Sequence, residues 1–128
     1  MTLSDVLSQL QTALASEGGK IITGYKVDNV RPADLPLVNI YCPRVIDNGL
    51  NEQFRWTAEV VITYIVAGKT RASAVVAVDS FIKNAVYNID NLYLPCRIAQ
   101  ITMASEASSD NTLLQSGRID IYVQLTSL

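Results

Sequence analysis

The sequence predicts one α+β domain, a mixed, mainly antiparallel sheet of 4–5 strands packed with two helices in the order α-β-β-β-α-β-β. Three observations predict it. Apolar residues recur at helical spacing near the N-terminus and again over residues 71–89. A long stretch, residues 54–66, alternates as a strand does. Short apolar runs bounded by Gly, Pro, Asn and Asp fill most of the remainder.

Residues 4–15 read as an amphipathic helix, with Leu3, Val6, Leu7, Leu10 and Leu14 on one face and Ser8, Gln9, Gln11 and Thr12 opposite. Thr2 or Ser4 can cap its start, and Gly18-Gly19 ends it. A short strand is expected over 21–27, then a loop over 28–36 punctuated by Pro32 and Pro36. Residues 37–42 form a second strand that Pro43 suits as an end or a sheet edge. Asp47-Asn48-Gly49 supplies the chemistry of a tight reversal. In the third strand Phe54, Trp56, Ala58, Val60, Ile62, Tyr64 and Val66 face the core. Its other face turns from polar (Arg55, Thr57, Glu59) to partly apolar (Val61, Ile65), so its far end needs cover on both sides. A second helix over 71–89 presents the stripe Val75, Val78, Ile82, Val86 and Ile89, flanked by Ala74, Phe81 and Ala85. Residues 97–105 and 117–125 give two closing strands, joined through a polar loop at 108–111.

Length and composition bound the function. At 128 residues the chain is near the commonest size for one domain, and no stretch resembles a linker. With 49% apolar and 17% charged residues it is too hydrophobic for a disordered tail and less charged than most soluble domains. Some apolar surface is therefore expected to need a partner. No run approaches the ~18 apolar residues of a membrane span. The N-terminus lacks the basic and apolar regions of a secretory signal, which points to an intracellular product with no membrane partner. Net charge is −2, and no Lys/Arg run exists to grip a phosphate backbone, so no specific nucleic-acid binding is expected.

No enzyme is expected, and no cofactor or metal site. The chain has no histidine, which removes Ser-His-Asp and Cys-His nucleophiles and His-based metal sites together. Cys42 and Cys96 form no C-x-x-C pair and read as apolar thiols; sequence leaves their separation, and hence a disulfide, open. The acids Asp28, Asp34, Asp47, Glu59, Glu106 and Asp110 are scattered over loops and outer faces, with no spacing that pairs carboxylates in a cleft. Gly68-Lys69-Thr70 imitates the end of a P-loop, but the first glycine of that motif would fall at Thr63. It reads better as a strand-to-helix turn with Thr70 as the helix cap. Arg44, Arg55, Arg71, Arg97 and Arg118 lie on five elements and converge only by tertiary accident, most of them as salt-bridge partners.

Three features point to assembly. On the second helix Val76 and Tyr87 project about 140–160° from the register of Arg71, opposite the stripe carrying Ile82. The loop over 45–53 carries Val45, Ile46 and Leu50 without an obvious core to reach, beside Asp47 and Asn48. An open sheet with one long strand leaves edges that must be blunted or used. The candidate interface residues are therefore Val45, Ile46, Asp47, Asn48, Leu50, Val76 and Tyr87.

The N-terminal helix over 3–14, the apolar strand 37–42 after Asp34-Leu35-Pro36, the long strand 54–66, the helix 71–89 and the closing strand 118–125 together resemble the tail terminator (tail completion) proteins of tailed bacteriophages. The resemblance lies in element order and length over nearly the whole chain, and it transfers no individual functional residue. It implies a virion structural protein in the tail or neck, assembled in the host cytoplasm. Such proteins form a homo-oligomeric ring, usually a hexamer, that caps the tail tube protein, ends tube polymerisation and faces the head-tail connector protein. Two rivals stand beside it. One is a small-molecule-binding α+β domain with Trp56, Tyr64 and Phe81 lining a pocket. The other is a different phage ring component, a head-tail stopper or a tube subunit.

Overall fold

Helix α1 (Leu3–Leu14) begins at Thr2, whose hydroxyl accepts from the Asp5 backbone N–H while the Asp5 carboxylate accepts from that of Thr2. This reciprocal cap satisfies two of the donors every helix start leaves open. We describe the chain from a computed structural model covering residues 1–107 and 113–128. The loop expected at 108–111 lies outside the described residues. A short 3₁₀ turn, Ala15–Glu17, follows α1 and is closed by Gly18 at φ 79°. The remaining elements are β1 (Lys20–Thr23), β2 (Leu37–Asp47), β3 (Trp56–Ala67), α2 (Arg71–Asp90), β4 (Cys96–Ala107) and β5 (Leu113–Leu125). The class is α+β, and helices and strands follow one another in the order expected from sequence.

The five strands form one sheet in the spatial order β1-β2-β3-β5-β4. β1 runs parallel to β2 and every other pair is antiparallel. Chain order alone does not give this arrangement, because the last strand lies inside and β4 takes the edge. Burial explains it. Ile119, Ile121, Val123 and Leu125 of β5 are fully buried, whereas Ile101 and Met103 of β4 stay half open. The strand with the continuous apolar face takes the covered position.

Both helices pack on one face. Val6, Leu10 and Leu14 of α1 meet Val38 and Ile40 of β2, Ala58, Val60 and Ile62 of β3, and the β5 residues in one core. From α2, Val78, Phe81, Ile82, Ala85 and Ile89 join it, and the Phe81 ring stacks on Tyr64 with centroids 4.3 Å apart. The buried stripe of α2 is turned from the one expected. Ala74, Phe81 and Ala85 lie at its centre, while Val75 stays 42% exposed and Val86 sits at the margin. Two glycines fix that seat. A Cβ on Gly117 would stand 2.8 Å from Val78 Cγ1, and one on Gly68 would stand 2.7 Å from the Ala74 Cβ. Thr70 caps the helix, accepting from the Ser73 N–H at 3.1 Å, so the Gly68-Lys69-Thr70 segment is a strand-to-helix turn.

Three strand assignments change by four residues or more, and β3 starts at Trp56, which leaves Phe54 outside it. β1 is shorter than expected, because residues 24–36 leave it as a loop beside the opposite face of the sheet. Asn39, 3% exposed on that face, donates to the Ile22 and Tyr25 carbonyls and accepts from the Val27 N–H. β2 does not stop at Cys42 but continues through Pro43 to Asp47. Its register slips between Tyr41 and Arg44, and β1 pairs only as far as Ile40, so no ladder bond is asked of Pro43. β5 starts earlier than expected, at Leu113.

Ile62 is fully buried, and Trp56 packs half-buried at the end of the core. Ile62→Ala is expected to cost about 2–5 kcal/mol in chemical denaturation, as cavity-forming core changes do. Gly117→Ala is expected to cost about 1–3 kcal/mol by overpacking under α2. The same measurement on Gly24→Ala separates this packing cost from glycine's conformational freedom alone, since Gly24 has open space around it at φ 97°.

Candidate functional site: the β2–β3 hairpin and neighbouring surfaces

β2 and β3 pair as far as Asp47 and Trp56, and the connection between them projects from the end of the sheet. Its fixed shape follows from polar residues that find partners close by. The Asn48 N–H donates to the Arg55 carbonyl, and its side-chain amide donates to the Phe54 carbonyl and the Thr57 hydroxyl. Asp47 accepts from the Gly49 N–H at 3.0 Å and from the Arg55 guanidinium at 3.2 Å. The Arg55 guanidinium also lies 4.5 Å over the Trp56 ring. Gly49, at φ 113°, makes the reversal, and the Glu52 N–H closes a turn onto its carbonyl. At the tip of this braced structure stands Leu50, 80% exposed.

The seven residues singled out from sequence divide accordingly. Val45, Ile46 and Asp47 belong to β2 and not to a loop, because the strand runs on past Pro43. Val45 packs against the core, whereas Ile46 is exposed. Asp47 and Asn48 brace the hairpin with their side chains. Leu50 alone presents a large apolar group to solvent at the tip. Val76 and Tyr87 are 64% and 69% exposed on α2, as the helical register requires. They stand about 16 Å apart along the axis at 1.5 Å per residue. Lys83, ion-paired with Asp79 at 2.9 Å, lies on the same side between them. They are isolated exposed residues and not one patch.

Sequence reasoning missed two surfaces. The first is a cleft of about 140 Å³ between α2 and β4, lined by Val75, Val78, Met103, Ala104, Ser105 and Gln115. Its signal was present in the apolar Ile101 and Met103 on a strand whose outer edge pairs with nothing among the described residues. The second is the sheet face away from the helices, where Arg44, Arg97 and Arg118 do share one side on β2, β4 and β5. Arg44 pairs with Glu59 and Arg118 with Asp120, and the Arg97 guanidinium lies 4.7 Å from the Tyr122 ring centroid. Two of the three cations are ion-paired and the third lies against an aromatic ring, so this face is a charge-laced surface.

Tyr64 and Phe81 are stacked in the core and line none of four surface clefts. These clefts have volumes of 190, 140, 250 and 370 Å³, and all open to solvent. Ligand pockets usually span about 300–1,000 Å³ and enclose their ligand. The widest is a shallow dish beside Pro95 and Arg97. No group of three metal-binding side chains occurs among the described residues. Cys42 and Cys96 are free and half-buried, separated by β3 and β5, and burial pushes both thiols up. No helix among the described residues is long and apolar enough to cross a membrane.

No family model matches the chain, and no curated protein matches it. Among solved structures it is similar to the type 4 fimbrial biogenesis protein PilO from Pseudomonas aeruginosa, at 8% identity and a TM-score of 0.44. That likeness covers 98% of this chain and 70% of the other, and it carries no weight for function.

The carboxylates that brace the surface give a pH signature. Hydrogen bonds from Lys20 and Arg31 hold Asp34 below its usual range, those from Arg55 and the Gly49 backbone lower Asp47, and Arg44 lowers Glu59. A group whose folded pKa is depressed stabilises the fold above its unfolded value, and that contribution disappears as pH falls through the folded value. Thermal stability is expected to stay level down to about pH 5 and to fall below about pH 4, where unfolded carboxylates titrate. Melting curves from pH 7 to pH 2.5 at low and high salt check this; a melting temperature that rises on acidification would contradict it.

Proposed function

We propose that this chain is a structural subunit that assembles with copies of itself into a ring, as the tail terminator proteins it resembles do to cap a tail tube. The observation that carries the reading is the braced β2–β3 hairpin, which holds Leu50 out in solvent on a fixed support. An apolar side chain ordered in this way binds without the entropic cost of fixing a loose loop. The supporting features are the low charge of the chain, the open outer edge of β4 and the absence of any enclosed cleft or reactive cluster among the described residues.

In this reading the ring, hexameric in the family it resembles, continues the tube on one side and meets the head-tail connector on the other. The product resides in the virion neck after assembly in the host cytoplasm. The charge-laced sheet face suits contact with a polar protein surface, and the matched ion pairs on it would give such a contact register more than affinity. A small-molecule-binding role has no observation in its favour.

Purified protein is expected to form rings visible by electron microscopy, alone or on the ends of tail tubes. Leu50→Asp is expected to remove the oligomer with an unchanged melting temperature, since an exposed substitution costs within about 0.5 kcal/mol of fold stability. A wild-type chain that stays monomeric at high concentration and never decorates tube ends would end the terminator reading.

A further inference from the structure

The exposed tip and the α2–β4 cleft lie at opposite ends of the same sheet. Trp56 of β3 pairs with Leu125 beside the hairpin, while Ala67 pairs with Leu114 at the other end, where Gln115 pairs with Ser105 of the cleft. The cleft is floored by Val78 and walled by Val75 and Met103, with Ile101 exposed two residues from Met103 on the same strand. Within it, the buried Gln115 amide already donates to the Ser105 hydroxyl at 2.6 Å, and no buried side-chain N or O atom among the described residues lacks a partner, so an apolar group can enter beside this pair.

Each end carries charge without an ion pair among the described residues, an acid beside the tip and cations at the start of α2. Among the described residues Glu52, next to the tip, holds no ion pair, whereas its neighbours Asp47 and Arg55 hold each other. At the cleft, Arg71 precedes Val75 by four residues and Val78 by seven, which puts all three along one side of α2. Arg71 and the adjacent Lys69 hold no ion pair among the described residues. An apolar tip with an acid two residues on thus lies at the opposite end of the sheet from a cleft walled by Val75 and Met103, with Arg71 one turn of α2 before Val75.

We propose that the cleft between α2 and β4 is the receptor for the hairpin tip of a second copy of this chain, with Leu50 seated against Val75 and Met103 and Glu52 meeting Arg71. The proposal rests on the self-assembly reading above and names the two surfaces that meet. A tip and a cleft at opposite ends make a head-to-tail contact, which closes into a ring when the rotation per subunit allows. An isologous pairing of two β4 edges would leave both tips unused.

The test is mutant mixing, followed by mass measurement with light scattering and by melting curves. Leu50→Asp disables the tip and Met103→Asp the cleft, with Val75→Glu as a second cleft variant on the helix should β4 tolerate no charge. Each folded variant alone is expected to be monomeric. An equimolar mixture of a tip variant and a cleft variant is expected to give a species of twice the protomer mass and nothing larger, because one intact tip and one intact cleft remain. Glu52→Arg is expected to weaken assembly several-fold, and adding Arg71→Glu to restore it. Rings that survive in both folded cleft variants would overturn the proposal and leave the ring reading standing. A mixture that stays monomeric overturns the pairing of these two surfaces. A wild type that never assembles overturns both readings.

Discussion

The structure depends on satisfying β3 along its whole length. This strand pairs residue for residue with β5 from Trp56 to Ala67, and with β2 over most of the same span. Twelve residues of strand extend about 36 Å at 3.3 Å per residue. A helix of twenty residues, as α2 is, covers about 30 Å. Neither helix alone can shield such a strand, and two are present. Capped at Thr2, α1 covers the β2 side, and α2 covers the junction of β3 with β5. The stacked rings of Tyr64 and Phe81 join β3 to α2, and Gly117, opposite Tyr64 on β5, makes room for the helix where the ring leaves it.

The other face of β3 is treated differently, and that difference leaves a surface for contact. Asn39 holds the loop over 24–36 beside one end of it through hydrogen bonds to Tyr25 and Val27, with a third to Ile22 of β1, and near that end Val61 is buried and Ile65 half-buried. Toward the hairpin the same face carries Thr57 and Glu59 of β3 beside Tyr122 and Gln124 of β5. The polar-to-apolar gradient along the outer residues of β3 is therefore a record of where the loop lies. A buried asparagine whose amide nitrogen and oxygen are both engaged is as specific a fastener as an apolar plug, and costly to misplace.

Much of this was legible in the sequence, for physical reasons that also mark where legibility ends. Helix α1 and strand β3 announce themselves because one face of each is buried and the other is not, so the period of the apolar residues is the period of the element. The second helix was legible as a helix but not in its orientation. Its residues at 74, 75, 78 and 82 are all apolar, and only the close approach at Gly68 and Gly117 selects Ala74 over Val75 for the core. Pro43 misled because a proline normally ends a ladder, yet at a bulge with no neighbour on one side it interrupts nothing. The signal of the cleft beside β4 was ambiguous for a related reason. Ile101 and Met103 look like core residues in any linear reading, and only the spatial order, with β5 inside and β4 outside, leaves them open. Of the seven candidate interface residues, Leu50 has the exposure and support that a contact needs. Asp47 and Asn48 provide that support, and Val45 belongs to the core.

A surface can mediate assembly only if it cannot satisfy itself. The hairpin tip meets this condition because its own hydrogen bonds hold it away from the domain: Asn48 ties the two ends of the connection together, and Asp47 and Arg55 pair at its base. Folding back to bury Leu50 would break those bonds and gain only one side chain's worth of apolar area, about 1.5–3 kcal/mol. The same reasoning applies to the cleft, whose walls belong to two elements fixed by the core. Neither surface can move to meet the other within one chain, since they lie at opposite ends of a sheet that the β3–β5 ladder keeps stiff. In the proposed head-to-tail contact the association number would be a property of geometry, set by the angle between the direction of the hairpin and the mouth of the cleft. Side chains at that contact would decide whether subunits join, and the twist of the sheet between tip and cleft would decide how many complete a circle.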